Sequence, residues 1–310
     1  MVGIACHEQG VALCHAVPVD GELRIAKLEF AQLDESKRCE FVKNWVNRHK
    51  LKFADSYIVL SQHEYELELI EAPPVEPDEM LEAVRWRLKD LISIPVEEAV
   101  IDIFHLPEDA YRGRKKMLYV VAASKDTIEN KIKLIKDAGL DLQVIDIEEL
   151  ALRNLSLFVP GHEQGTVAFL SMKENNGHIH MFCHENMYLT RSIEMGYASF
   201  VPQENDQWQI EREDHGSMVE RYILDVQRSL DYYESQVGKG IANKLYVLPS
   251  EMDESDIVTH LQAMLTQDVA NFDCKDIVPF TEGVEPSLAQ QALCLPAIGA
   301  VFRRGRYATN

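Results

Sequence analysis

Residues 166–193 read TVAFLSMKENNGHIHMFCHENMYLTRSI. Short apolar runs at Thr166 to Ser171, His178 to Cys183 and Met187 to Ile193 are separated by Asn175-Asn176-Gly177 and by Glu185-Asn186, residues that form turns. The spacing predicts three strands of an antiparallel meander. The clearest helical pattern of the chain follows. Val219, Tyr222, Ile223, Val226, Leu230, Tyr233 and Val237 share one face, Ser217 and Glu220 are placed as a capping box, and Gly238 lies beyond. Next come a strand at Leu245 to Leu248, a helix at Ile257 to Leu265, a strand at Val269 to Cys274, and a nearly all-apolar helix from Leu288 to Phe302 with Pro296 inside it. The order is βββαβαβα.

The first half repeats it. Apolar runs at 2–6, 11–16 and 22–30 are turned at Glu8-Gln9-Gly10 and Asp20-Gly21. Phe41, Val42, Trp45 and Val46 give a one-faced helix, and Tyr57 to Leu60 a buried strand. A helix at 125–138 is capped by Ser124 and stopped by Gly139. Leu140 to Ile145 reads as a strand and Ile147 to Phe158 as a helix. Residues 63–123 interrupt this order with a βαββ unit of their own. Tyr65 to Glu71 alternates, Leu81, Val84, Leu88 and Leu91 form a helical stripe after Pro73-Pro74, and strands at 99–104 and 117–123 flank a basic loop, Arg112, Arg114, Lys115 and Lys116. Two halves with one eight-element order point to duplication. The expected domains are 1–160, carrying the insertion, and 161–310.

Composition narrows the function. At 310 residues, two lobes are the natural division, and 46% hydrophobic residues supply their cores. No stretch approaches the roughly 20 apolar residues of a membrane-spanning helix, and Val2 to Ile4 lacks the basic leader of a secretory signal. The chain is therefore expected to be cytoplasmic. A net charge of −20 repels phosphate backbones and anionic lipid, which argues against nucleic acid, but it attracts a basic peptide such as the cytoplasmic flank of a membrane protein. Six scattered cysteines without a Cys-x-x-Cys pair read as free thiols in a reducing compartment.

Catalytic signatures are missing: no Gly-x-Ser-x-Gly elbow, His-Glu-x-x-His or Walker loop is present. His178, His180 and His184 share one side of a strand at a spacing open to zinc, but one strand rarely supplies a tetrahedral set, and packing is the expected role. Cys6-His7 and Cys14-His15 fall on neighbouring strands and read as packed pairs. Trp86 and the stripe around it read as core.

Duplicated βββαβαβα halves with an insertion in the first resemble the actin-like (ribonuclease H-like) ATPases, in the variant found in the cell-division protein FtsA and the pilus-assembly protein PilM. Glu82-Ala83-Val84-Arg85-Trp86 followed by Ile94-Pro95-Val96-Glu97-Glu98, with Asp102 in the next strand, resembles a PilM segment, and Arg228-Ser229-Leu230-Asp231-Tyr232-Tyr233 resembles another. Within that family the likeness is to the counterpart in mannose-sensitive haemagglutinin (MSHA) type IV pili.

The resemblance implies a nucleotide gripped by two strand-turn-strand loops, and this chain departs from the family at both. Asp-x-Gly is replaced by Ala5-Cys6-His7 in the first loop and by Ser171-Met172-Lys173 in the second, the family's lysine falls at Ala12, and Leu248-Pro249-Ser250-Glu251 stands in place of the glycine-rich adenosine loop. A side chain at a left-handed turn costs about 1 to 2 kcal/mol. Glu8 at about 6 Å from a phosphate charge adds roughly 3 kcal/mol of repulsion at an effective dielectric of about 20. Lys173 acts the other way. No cofactor is expected; the alternative is ATP with magnesium held weakly at Gly10, Ser171 and Lys173.

The resemblance further implies docking rather than catalysis. The partner would be the cytoplasmic N-terminal tail of a bitopic inner-membrane pilus protein, with the assembly ATPase beyond it, which would bring the chain to the inner face of the inner membrane. That tail would lie in a cleft between the first half's core and the insertion, with Val84, Arg85, Leu88, Lys89 and Leu91 as candidate contacts.

Overall fold

The computed structural model describes residues 1–310 apart from 109, 112, 114, 201–214, 238–239, 251–254 and 304–310. Arg112 and Arg114 of the basic loop, the Gly238 stop and Glu251 lie outside the described residues.

The first half opens with β1 (Val2–Cys6), β2 (Gly10–Val19) and β3 (Glu22–Gln32), followed by α1 (Glu35–His49) and β4 (Asp55–Leu60). The insertion comprises β5 (Tyr65–Glu71), α2 (Met80–Leu88), β6 (Ala99–His105) and β7 (Met117–Ser124). The half closes with α3 (Lys125–Ala138), β8 (Asp141–Ile147) and α4 (Glu148–Ser156). The second half contains β9 (Thr166–Met172), β10 (Gly177–Cys183), β11 (Asn186–Ile193), α5 (His215–Gln236), β12 (Ala242–Val247), α6 (Ser255–Met264) and β13 (Asp268–Asn271). It ends with a single turn, α7 (Cys274–Ile277), and α8 (Leu288–Val301). Helix α5 begins at His215, so Ser217 lies inside its first turn rather than capping it.

Duplication is visible in the strand order. One sheet runs β3-β2-β1-β4-β8 and the other β11-β10-β9-β12-β13, a meander extended by two parallel strands in each case. The insertion forms a third sheet, β5-β7-β6, antiparallel throughout.

Contacts divide the chain into two compact units. The first holds Met1–Leu155, Val278–Pro286 and the chain from Leu293 on; the second holds Ser156–Ile277 and Ser287–Ala292. This differs from the 1–160 and 161–310 division chiefly in α8, most of which packs in the first unit. Backbone proximity explains that placement. A Cβ on Gly3 of β1 would stand 2.0 Å from the carbonyl oxygen of Ala297, and one on Gly299 would stand 2.2 Å from that of Ala151 in α4. Asn154 fixes the same contact by donating to the Gly299 carbonyl at 2.9 Å. On the other face of the first sheet, Val42, Trp45 and Val46 of α1 and Ile135 and Ala138 of α3 bury Val2, Ile4, Leu13 and Ile58. The second unit's core centres on Phe169, which meets Phe182, Tyr246 and Phe272 edge-on at 5.4, 6.0 and 5.3 Å.

Candidate functional site

The β1–β2 turn, the first of the two loops singled out by the sequence, is closed by its own atoms. His7 N–H donates to the Gly10 carbonyl at 2.9 Å, and Gly10 N–H donates back at 3.3 Å. Gly10 is glycine for a different reason from the one expected: a Cβ there would stand 2.0 Å from the Ala31 carbonyl oxygen of β3. Its role is close strand packing, and its N–H is already committed to the turn. Beneath the turn, the buried guanidinium of Arg38 from α1 donates to the carbonyls of His7 and Glu8, the latter at 3.0 Å. The His7 ring lies edge-on to Phe30, with centroids 5.8 Å apart. Glu8 is exposed, 3.8 Å from His63 Nδ1.

The second loop is covered by the chain that follows it. Ser171 is buried, and its hydroxyl donates to the His178 carbonyl at 3.3 Å. Lys173 N–H donates to Asn176 at 2.7 Å, while Tyr197 and Ala198 donate to the carbonyls of Lys173 and Glu174 at 2.9 Å each. A Cβ on Gly196 would stand 2.3 Å from the Lys173 carbonyl oxygen and 2.5 Å from Asn176 N. Of the three candidate nucleotide residues, then, Gly10 and Ser171 serve packing within their own hairpins, and the backbone at Lys173 is engaged on both sides.

Behind this second hairpin, His178, His180 and Phe182 stack along one face of β10 at 6.0 and 6.2 Å. His180 is fully buried and shares a hydrogen bond of 2.9 Å with Thr190, while His184 sits in the exposed turn with φ 52°. Burial, then the neighbouring His178 and Lys173, holds the His180 imidazole well below its usual range. The sign is that of a buried neutral base. Below about pH 6.5 the unfolded chain takes up a proton that the folded chain refuses, so stability falls as pH falls, by about 1.4 kcal/mol per pH unit for that proton. Replacing His180 with Phe is expected to flatten the acid limb of a stability-versus-pH curve by this amount; an unaltered slope would show that His180 is charged in the folded protein.

The candidate contact residues of the insertion differ in their exposure. Helix α2 lies on one face of the three-stranded sheet, where Met80, Val84 and Leu88 are buried against Ile70, Ile101, Leu118 and Val120. Val84 and Leu88 are at 0% exposure and hold the helix to its sheet. Arg85 reaches the Val96 carbonyl at 3.4 Å, and Lys89 Nζ sits 4.3 Å from the Trp86 ring centroid. The helix ends at Leu88, which leaves Leu91 outside the stripe and 48% exposed; Leu81 and Trp86 are exposed as well. The stripe is therefore core only at its centre.

Strand alternation places Tyr65, Leu67, Leu69, Val100, Phe104, Tyr119, Val121 and Ala123 on the opposite face of the sheet. On that face Tyr65 and Ala123 are buried with Leu60, Ile147 and Leu150 of the first unit's core, Leu67, Phe104 and Val121 pack partly buried against the same cluster, Tyr119 is buried, and Val100 is exposed. At the root, Glu64 accepts from Lys131 of α3 at 2.5 Å and from Ser61 N–H at 3.0 Å, and Tyr65 OH donates to Glu149 at 2.5 Å. Burial alone would push the Glu64 carboxyl up, but the Lys131 ammonium and Ser61 more than reverse it, and the group is held below its usual range. Burial, then the Glu149 charge, keeps the Tyr65 phenol protonated. No motif marks these residues, but the sequence carries a signal for two of the cations: Lys131 interrupts the apolar face set by Ile128 and Ile135, as Arg38 interrupts that of Val42 and Trp45.

A family model described as type IV pilus assembly protein PilM matches residues 37–228, more than half of the chain. The chain belongs to the PilM family. Among solved structures, a chain of the PilM–PilN type IV pilus biogenesis complex superposes with a TM-score of 0.72 at 16% identity, over 97% of each chain. The cytoplasmic domain of EpsL, an inner-membrane component of the type II secretion system of Vibrio cholerae, gives 0.52 at 11% identity over 98% of this chain and 94% of its own. A Bacteroides thetaiotaomicron protein of unknown function with an actin-like ATPase fold gives 0.51 at 10% identity, over 87% and 90%. These likenesses establish the actin-like fold. No curated protein matches the sequence significantly. No helix among the described residues is long and apolar enough to cross a membrane.

Both PilM-like motifs have structural roles. In the Ile94–Glu98 turn, Val96 is buried under α2, and Ser93 just before it gives its N–H and hydroxyl to Glu66, the hydroxyl at 2.7 Å. In α5, Leu230 and Tyr233 are buried, with the Tyr233 hydroxyl 2.6 Å from Thr166, while Tyr232 is exposed with Arg191 4.8 Å above its ring.

Proposed function

We propose that this PilM-family chain is a docking protein of type IV pilus assembly, of the kind that serves MSHA pili (MshI), and that the nucleotide site of its fold is out of use. It works in the cytoplasm at the inner face of the inner membrane, holding the cytoplasmic N-terminal tail of a bitopic inner-membrane protein and relaying it to the assembly ATPase. Family membership over 37–228 carries this reading. The solved complex of PilM with PilN supports the class of partner. Two turns closed by Arg38, by their own hydrogen bonds and by the Gly196 segment favour docking over ATP turnover.

The groove assigned to the tail is the half-covered face of the insertion sheet, with Leu67, Phe104 and Val121 as apolar anchors for an extended backbone. The net charge of −20 favours a tail with a basic flank and disfavours nucleic acid. A pull-down with a synthetic tail peptide of the cognate PilN-like protein tests this. Val121→Asp is expected to abolish capture, and Lys89→Glu, on the far side, to leave it unchanged; the reverse pattern would return the site to α2. Deleting the gene is expected to remove MSHA pili specifically, and pili of normal number would remove the MSHA assignment.

A further inference from the structure

We propose that the buried polar root of the insertion, Glu64–Lys131 together with Tyr65–Glu149, is a positioning device that sets the tilt of the inserted sheet on the first unit's core and thereby the width of the tail groove. The inference rests on the docking reading for its consequence, but not for its geometry.

The chain passes between core and insertion twice, through 61–65 and through 123–125. Both passages are fastened by polar groups, buried or partly buried on the way in and nearer the surface on the way out. On the way in, Glu64 is held by Lys131, whose side chain is 8% exposed, and by Ser61 N–H. One residue further on, Tyr65 begins β5 and donates to Glu149, which is 4% exposed in α4 of the core. On the way out, Ser124 caps α3 by accepting from Thr127 N–H at 3.1 Å, and Lys125 Nζ reaches back to the Glu97 carbonyl of the insertion at 2.7 Å. Tyr65 and Ala123 are directly paired across the two strands, so the two passages move together.

Apolar packing at this junction comes from one cluster, with Leu60, Tyr65, Ala123, Ile147 and Leu150 buried and Leu67, Phe104, Val121, Ile128 and Ile145 packed partly buried against it. Apolar contact is non-directional, whereas a phenol–carboxylate hydrogen bond and a buried ion pair have fixed length and direction. Directional bonds at the base of a lever determine where its far end stands. Loosening them moves Leu67, Phe104 and Val121 relative to the core without removing any side chain from the groove.

Spin labels at His105→Cys on the insertion and Lys133→Cys on the core, in a Cys39→Ser background, read the tilt directly. A Glu64→Gln/Lys131→Met double variant removes both charges at once, which avoids leaving one of them buried alone; Tyr65→Phe opens the second bond. The interlabel distance distribution is expected to broaden in each, and the affinity for the tail peptide of the cognate PilN-like protein to fall about tenfold. Lys131→Arg, which keeps the pair, is expected to retain both. A distribution as narrow as that of the unaltered protein would overturn the proposal, as would broadening with unchanged affinity. A wild-type protein that ignores the peptide would count against docking, while the distances would still decide the positioning role.

Discussion

A chain stopped after Pro286 is expected to fail to fold its first unit, although all five strands of that unit's sheet would still be present. The second half of α8 lies against β1 and α4 through glycine contacts with no room for a methyl group, and Leu295, Ala297, Ile298, Ala300, Val301 and Phe302 are all 5% exposed or less. Losing several such side chains at about 2 to 4 kcal/mol each exceeds the 5 to 15 kcal/mol that holds a typical domain together. Urea unfolding followed by tryptophan fluorescence reads this directly, because Trp45 reports on the first unit's core. The milder changes Gly3→Ala and Gly299→Ala test the same contact: each added Cβ would meet a backbone carbonyl oxygen that cannot swing away and should cost about 3 kcal/mol, the upper end for overpacking. Gly21→Ala, at an open turn with φ 83°, is expected to cost only about 1 kcal/mol. Equal losses at all three positions would mean that α8 is not packed as described.

The second large effect lies at the insertion's root. Lys131→Met leaves the partly buried Glu64 carboxylate with Ser61 as its remaining partner, a loss of about 1 to 3 kcal/mol near neutral pH. In the unaltered protein the Glu64 carboxyl is held below its usual range, so its contribution is present above the unfolded value and is lost as pH falls through the folded one. In the variant burial is opposed by the Ser61 bonds alone, so the carboxyl rises relative to the parent, the lost ion pair is felt at neutral pH, and acidification relieves the difference. The gap between variant and parent should therefore narrow as pH falls from 7 towards 4, and chemical denaturation across that range measures it. A gap independent of pH would place the Glu64 carboxylate in water.

How much of this was legible in the sequence follows from the range over which each signal acts. Strands and helices declare themselves through periods of two and 3.6 and through turn residues, all local, and the duplicated order could be read from them. Which unit α8 joins depends on Gly3 meeting Ala297 across almost the whole chain, and no periodicity encodes that. The same limit governed the docking face. The stripe Leu81, Val84, Leu88, Leu91 identifies a helix, but its centre is buried under its own sheet and its ends are not, because the buried face runs through Met80 rather than Leu81 and the helix stops at Leu88. The open face belongs to alternate residues of three strands, where half-exposed Leu67 and Val121 look like ordinary strand core. Arg38 and Lys131 were the readable exceptions, since a cation on an apolar stripe requires a buried acceptor.

As proposed above, this actin-like fold recruits a peptide and does not answer to nucleotide. Calorimetric titration of the full chain with the tail peptide, repeated in millimolar magnesium-ATP, tests it most directly. The expected result is a micromolar or tighter dissociation constant for the peptide, the same with and without nucleotide, and no heat from ATP alone. Micromolar binding of magnesium-ATP that shifts the affinity for the tail would contradict it.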